Sequence, residues 1–115
     1  INIIIYIKFM NESREILRHI VLFKFKTDVT PDQIELVKSE FCKLPQKINF
    51  ITDFEWGLNN SPENLSQGFT HCFFVTFKSE QDRDEYLPHP EHQNFVTIAS
   101  PYIEKALVFD YWTKS

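Results

Sequence analysis

Between Ile16 and Lys26 the side chains alternate with a period of two. Leu17, His19, Val21, Phe23 and Phe25 share one face, and Arg18, Ile20, Leu22, Lys24 and Lys26 the other. Apolar residues stand at the centre of both faces, which predicts a strand covered on both sides. The period then changes. Thr30 suits a helix N-cap, Pro31 the first helical position, and Gln33 completes a capping box. Ile34, Val37, Phe41 and Leu44 follow at spacings of three, four and three, one apolar stripe, and Pro45 predicts an end at or just before Leu44.

A second strand is expected from about Phe50 to Leu58, with Phe54 and Trp56 set against Asp53 and Glu55. Asn59 to Gly68 is rich in turn residues and reads as a loop. In a third strand, Phe69 to Lys78, residues Phe69, His71, Phe73, Val75 and Phe77 oppose Thr70, Cys72, Phe74 and Thr76. Ser79 caps a short helix reaching about Leu87, and Pro88 and Pro90 break it. Pro90 also suits the first position of another helix, Glu91 to about Ser100, which Pro101 limits. Lys105 to Trp112 is the last strand. The order β-α-β-β-α-β predicts an α+β fold, an antiparallel sheet with helices on one face. Ile20, Leu22, Phe74, Leu107 and Phe109 then lie opposite the helices. A patch of this kind is expected to meet its copy on a second chain, giving a homodimer.

The N-terminal run Ile1 to Phe9 is apolar but far too short to span a bilayer, and it lacks the basic start and small-residue cleavage site of a signal peptide. Met10 is the only methionine of the chain. We read residues 1–15 as a poorly structured N-terminal extension, with Met10 as the natural start and an added edge strand as the alternative. Residues 16–115 form the domain. Twelve Phe bring the aromatic share to 16%. That surface either packs an aromatic-rich core or also lines a cavity or a subunit interface. The net charge of −4, with Lys and Arg scattered, argues against a nucleic-acid partner and against a basic helix lying on a membrane. Cys42 and Cys72 sit in apolar contexts and read as reduced residues, so a cytoplasmic location is expected.

The pointed chemistry lies in Tyr86-Leu87-Pro88-His89-Pro90-Glu91-His92. His19 faces the helix side with Val21 and Phe23, Tyr86 ends one half of the broken helix, and His89 and His92 flank the start of the other. Near a helix N-terminus the dipole favours a neutral His92, and a neutral imidazole beside a phenol is a workable acid–base pair. His19, Tyr86 and His92 are the catalytic candidates. Plain structural readings stand beside these: His19, Tyr86 and His92 as core residues, and His89 as a helix cap. Val21, Phe23, Phe41, Phe54, Phe73, Phe95 and Val108 are the expected apolar pocket lining. His89 and His92 around Glu91, with His19, could be imagined as metal ligands, but the second His or Cys pair of a specific zinc motif is missing. No metal and no cofactor is expected. Only two glycines occur, Gly57 and Gly68, so neither a nucleophile elbow nor a phosphate loop can be built. Phe74-Val75-Thr76-Phe77 imitates the end of an RNA-binding motif, but His71 and Cys72 stand where Gly-aromatic is required.

Several segments together resemble the stress-responsive dimeric A/B barrel family. They are the strand His19-Ile20-Val21-Leu22-Phe23-Lys24-Phe25-Lys26, Trp56-Gly57, Gly68-Phe69-Thr70-His71, Thr76-Phe77, Tyr86 to His92, and Asp110-Tyr111. The resemblance runs from about Leu17 to Trp112. It implies a ferredoxin-like α+β homodimer, a dimeric α/β barrel in which two sheets face each other, with a small-molecule pocket between sheet and helices. In a polyketide-cyclising plant member a pocket Tyr and His drive an aldol condensation. The matching positions are Tyr86 and His92, and His19 matches a further pocket histidine. By that analogy His92 would be general base and Tyr86 donor to the developing oxyanion. Phe41 and Ile103 stand where that member has a pocket tyrosine and tryptophan, which implies a different ligand. Three readings follow: a stress-associated binding dimer, a cyclase-like lyase, and a metal-assisted oxygenase-type enzyme.

Overall fold

The computed structural model describes residues 2–12 and 15–114. Four strands, β1 (Glu15–Phe25), β2 (Asp53–Leu58), β3 (His71–Phe77) and β4 (Ile103–Lys114), form one antiparallel sheet in the order β2-β3-β1-β4. Helices α2 (Pro31–Cys42), α3 (Leu44–Lys47), α4 (Glu80–Tyr86) and α5 (Pro90–Ala99) complete the domain. It is the ferredoxin-like α+β arrangement expected, with the second helix broken in two.

The caps work as the sequence predicts. Thr30 Oγ1 accepts from the Gln33 N–H at 3.2 Å, and Gln33 Oε1 accepts from the Thr30 N–H at 3.0 Å. Helix α2 stops at Cys42, slightly earlier than expected, and Pro45 occupies the first turn of α3, where its missing N–H costs nothing. Strand β2 starts at Asp53 rather than Phe50. Ile48 is buried beside the core and Phe50 and Ile51 pack against it, so that stretch is not free to pair along β3.

Burial follows the faces read from β1. Leu17, His19, Val21 and Phe23 are buried, and every even-numbered neighbour is half-buried. Val37 and Phe41 of α2 meet Phe73, Val75 and Phe77 of β3. Each such side chain contributes roughly 1.5–3 kcal/mol when fully buried. On the opposite face Ile20 lies beside Phe74 and Phe109, and Leu22 beside Cys72 and Leu107. There Phe109 is 60% exposed and Leu107 42%.

The N-terminal segment differs from both expectations. Residues 3–12 form helix α1 (Ile3–Glu12), neither a poorly structured tail nor an edge strand. Asn2 Oδ1 caps it by accepting from the Ile4 N–H at 2.8 Å. The sheet order leaves an open side at β2 and at β4, but residues 3–12 are helical and pair with neither. Ile3 to Ile7 are exposed, Ile4 at 74%.

Candidate functional site

Between the inner face of the sheet and helices α2, α4 and α5 lies a cavity of about 740 Å³. That is within the range of sites for small organic molecules, roughly 300–1,000 Å³. The register sorts its wall. Along β1 and β4 the pairs are His19 with Asp110, Val21 with Val108, and Phe23 with Ala106, so the wall passes from polar to apolar. Helix α5 runs the same way, from His92 to Phe95 and Ala99. Val108, which lines the cavity, is 56% exposed, so the mouth lies beside β4.

Tyr86 is the last residue of α4, a helix begun by Ser79 Oγ accepting from the Asp82 N–H at 3.1 Å. Its ring is completely buried against Phe77, His19 and His92, with centroids at 5.1, 5.8 and 4.4 Å. The Tyr86 hydroxyl is buried and has no hydrogen-bond partner among the described residues. Buried hydroxyls nearly always find one, since an unpaired one costs about 1–3 kcal/mol. Burial also pushes its phenol well above the ordinary range, so it remains a proton donor at any physiological pH.

The prolines set the second helix. His89 caps α5, its Nδ1 accepting from the Glu91 N–H at 3.1 Å, so it belongs to the architecture. His92, in the first turn, donates Nδ1–H to the Leu87 carbonyl at 2.8 Å, because a carbonyl can only accept. Its Nε2 therefore carries the lone pair. Burial chiefly pulls the His92 pKa below its ordinary value. The Leu87 carbonyl opposes this, and His19 and His89 add to it. His92 is thus a neutral base candidate against a neutral acid candidate, and His19 stands beside both.

His19 is held from the neighbouring strand. Its Nδ1 lies 2.7 Å from Asp110 Oδ1, and Arg83 Nη1 donates to Asp110 Oδ2 at 3.0 Å. Asp110 and Arg83 both line the cavity, and neither was among the site candidates read from sequence, although Asp110 stands in the Asp110-Tyr111 segment that carries the resemblance. Arg83 precedes Tyr86 by three residues, a spacing that puts both on one helix face and could have been read. Pairing of Asp110 with His19 depends on strand register, which the sequence does not display.

The expected pocket residues divide. Val21, Phe23, Phe41, Phe95 and Val108 line the cavity together with His19, Tyr86 and His92. Phe73 and Phe54 do not. Phe41 stacks face to face on Phe73 at 4.2 Å, so Phe41 forms the wall and Phe73 is packed behind it. Phe54 packs behind Phe41 as well, at 5.7 Å. Leu87, Val96, Ala99, Ile103 and Ala106 supply the remaining apolar surface.

Fold and cavity together define a class: a ferredoxin-like α+β domain that holds an aromatic-walled cavity with a Tyr–His pair at its polar end. Residues 17–113 match the model of the Stress responsive A/B Barrel Domain, and the chain belongs to that family. It is 39% identical over 102 residues to the stress-response A/B barrel domain-containing protein HS1 of Arabidopsis thaliana, covering 89% of this chain and 94% of that one. It is 33% identical over 95 residues to the olivetolic acid cyclase of Cannabis sativa, 83% and 94% covered. A crystal structure of a dimeric ferredoxin-like protein of unknown function from Bacteroides fragilis superposes with a TM-score of 0.69 at 31% identity, covering 84% of this chain and 94% of that one.

Proposed function

We propose that this family member is a homodimer in which each subunit binds a largely apolar small molecule bearing a carbonyl group. The observation that carries this reading is the orphaned Tyr86 hydroxyl, a buried donor at the polar end of a cavity whose other end is walled by Phe23, Phe41, Phe95 and Ile103. A carbonyl oxygen accepting from it would supply the missing partner, and the molecule's chain would lie along Val21, Phe23, Phe41 and Phe95. Dimeric relatives support the pairing of two copies, as does the sheet face on which Ile20, Leu22 and Phe74 are half-buried and Leu107 and Phe109 exposed. The cysteines Cys42 and Cys72 are free thiols, which suits a reducing cytoplasm. No helix among the described residues is long and apolar enough to cross a membrane.

A second reading, acid–base lyase or cyclase chemistry, is favoured by one specific feature. The Leu87 carbonyl fixes the His92 tautomer, leaving Nε2 as the basic atom of a ring packed against the Tyr86 ring. His92 would take a proton from a CH₂ acidified by the carbonyl, and Tyr86 would donate to the enolate oxygen.

Both readings are tested with 2-nonanone and 2,4-nonanedione as probes and the Tyr86→Phe variant. We expect the variant to fold as stably as the native chain, or more so, because it removes an unpaired buried hydroxyl. Its affinity for 2-nonanone, by calorimetry, should fall about tenfold, the equivalent of one hydrogen bond. Unchanged affinity would exclude Tyr86 as the ligand's donor. Accelerated deuterium exchange at the central CH₂ of 2,4-nonanedione, abolished in His92→Ala, would select the second reading over binding alone.

A further inference from the structure

We propose that Arg83 is a positioning residue of the cavity: by pinning the Asp110 carboxylate it fixes the tautomer and orientation of the His19 ring beside Tyr86. The inference rests on the reading of the cavity as a ligand site. Three elements meet here. Arg83 stands on α4, three residues before Tyr86, Asp110 on β4, and His19 directly across from Asp110 on β1. The two oxygens of one carboxylate are divided between them, Oδ1 at 2.7 Å from His19 Nδ1 and Oδ2 at 3.0 Å from Arg83 Nη1.

A carboxylate held at one oxygen turns easily about its last torsion, which is broad and nearly two-fold. With the second oxygen taken by a guanidinium, that rotation is stopped and Oδ1 stays aimed at the imidazole. An ionised carboxylate only accepts, so the neutral ring must carry its hydrogen on Nδ1 and its lone pair on Nε2. The ring then meets Tyr86 edge-on, centroids 5.8 Å apart with an interplanar angle of 70°. Arg83 is itself steadied by Asp84, whose Oδ1 accepts from Nε at 3.0 Å. Stability alone gives little reason for the arrangement. Both Arg83 and Asp110 are partly exposed, where ion pairs add little.

The test uses the native dimer labelled with ¹⁵N-histidine. In the native protein the long-range ¹H–¹⁵N spectrum should give His19 the Nδ1–H tautomer, with a slowly exchanging Nδ1–H proton. Arg83→Met should lose that proton signal, mix the two tautomers and weaken 2-nonanone binding about tenfold, with little change in melting temperature. Arg83→Lys, which can still reach one carboxylate oxygen, should restore part of both. Arg83→Ala gives the same reading should Arg83→Met fail to fold. A His19 spectrum unaffected by either substitution would overturn the proposal. Failure of the native protein to bind 2-nonanone would overturn the ligand reading instead, and the histidine spectrum would still decide the role of Arg83.

Discussion

His92 and Tyr86 are neighbouring residues whose environments push their protonation in opposite directions, and each remains neutral for the same reason, burial. For His92 this has a consequence for stability. Its folded pKa lies below the ordinary 6.5, so the unfolded chain binds the proton more tightly than the folded one. Above that value neither state is protonated and His92 contributes nothing. As pH falls through the window below it, the unfolded state gains protons the folded state resists, and stability drops. His71, also lowered mainly by burial, acts in the same direction. We expect urea denaturation to find the native protein less stable at pH 5.5 than at pH 7.5. His92→Gln should lose less over that interval, the remainder coming from His71. An identical loss in the two proteins would mean that His92 is not desolvated in the folded state. The same protonation would block the Nε2 lone pair, so any base chemistry should fade over the same window.

Helix α4 has seven residues, fewer than an isolated helix needs to persist, yet it carries both Tyr86 and Arg83. Its start depends on the Ser79 cap. We expect Ser79→Ala to cost about 1 kcal/mol of unfolding free energy and to weaken 2-nonanone binding as well. Thr30→Ala, which removes the comparable cap of α2, should cost a similar amount of stability and leave binding unchanged. Equal binding losses from the two would show that the cavity answers to global stability rather than to α4. Elements of this kind were legible in the sequence because their signals are local: a period of two or of 3.6, a cap, a proline. The two faces of β1, both capping residues and the Pro88–Pro90 break could all be read directly. What escaped depends on neighbours far along the chain. Asp110 and His19 are brought together by register, and whether Phe41 or Phe73 forms the cavity wall depends on which ring stands in front. The apolar run of α1 carries no period that separates strand from helix.

At the scale of the whole molecule, the helices that pack on the sheet leave its other face without cover. Ile20, Phe74 and Phe109 lie in one row across β3, β1 and β4, with Leu22 and Leu107 in the next, and Arg18 and Lys24 at the ends of the β1 face. An apolar centre with a charged rim is the anatomy of a protein interface. Because the proposed partner is a copy, a two-fold axis would bring each row against its equivalent, and a single substitution would act twice. Phe109 is the most exposed of these large side chains and lies on the edge strand β4, turned away from the core of its own subunit. Phe109→Asp should therefore place two unpaired carboxylates in the interface while leaving the fold of each subunit intact. We expect sedimentation at micromolar concentration to give a dimer for the native chain and a monomer for the variant, with an unchanged far-ultraviolet dichroism spectrum. A variant that remains dimeric would move the interface elsewhere. Since the cavity lies on the opposite side of the sheet, the monomer should still bind 2-nonanone. If it does not, the two faces of the sheet are coupled through β1 and β4, the strands that contribute both to the cavity wall and to the exposed rows.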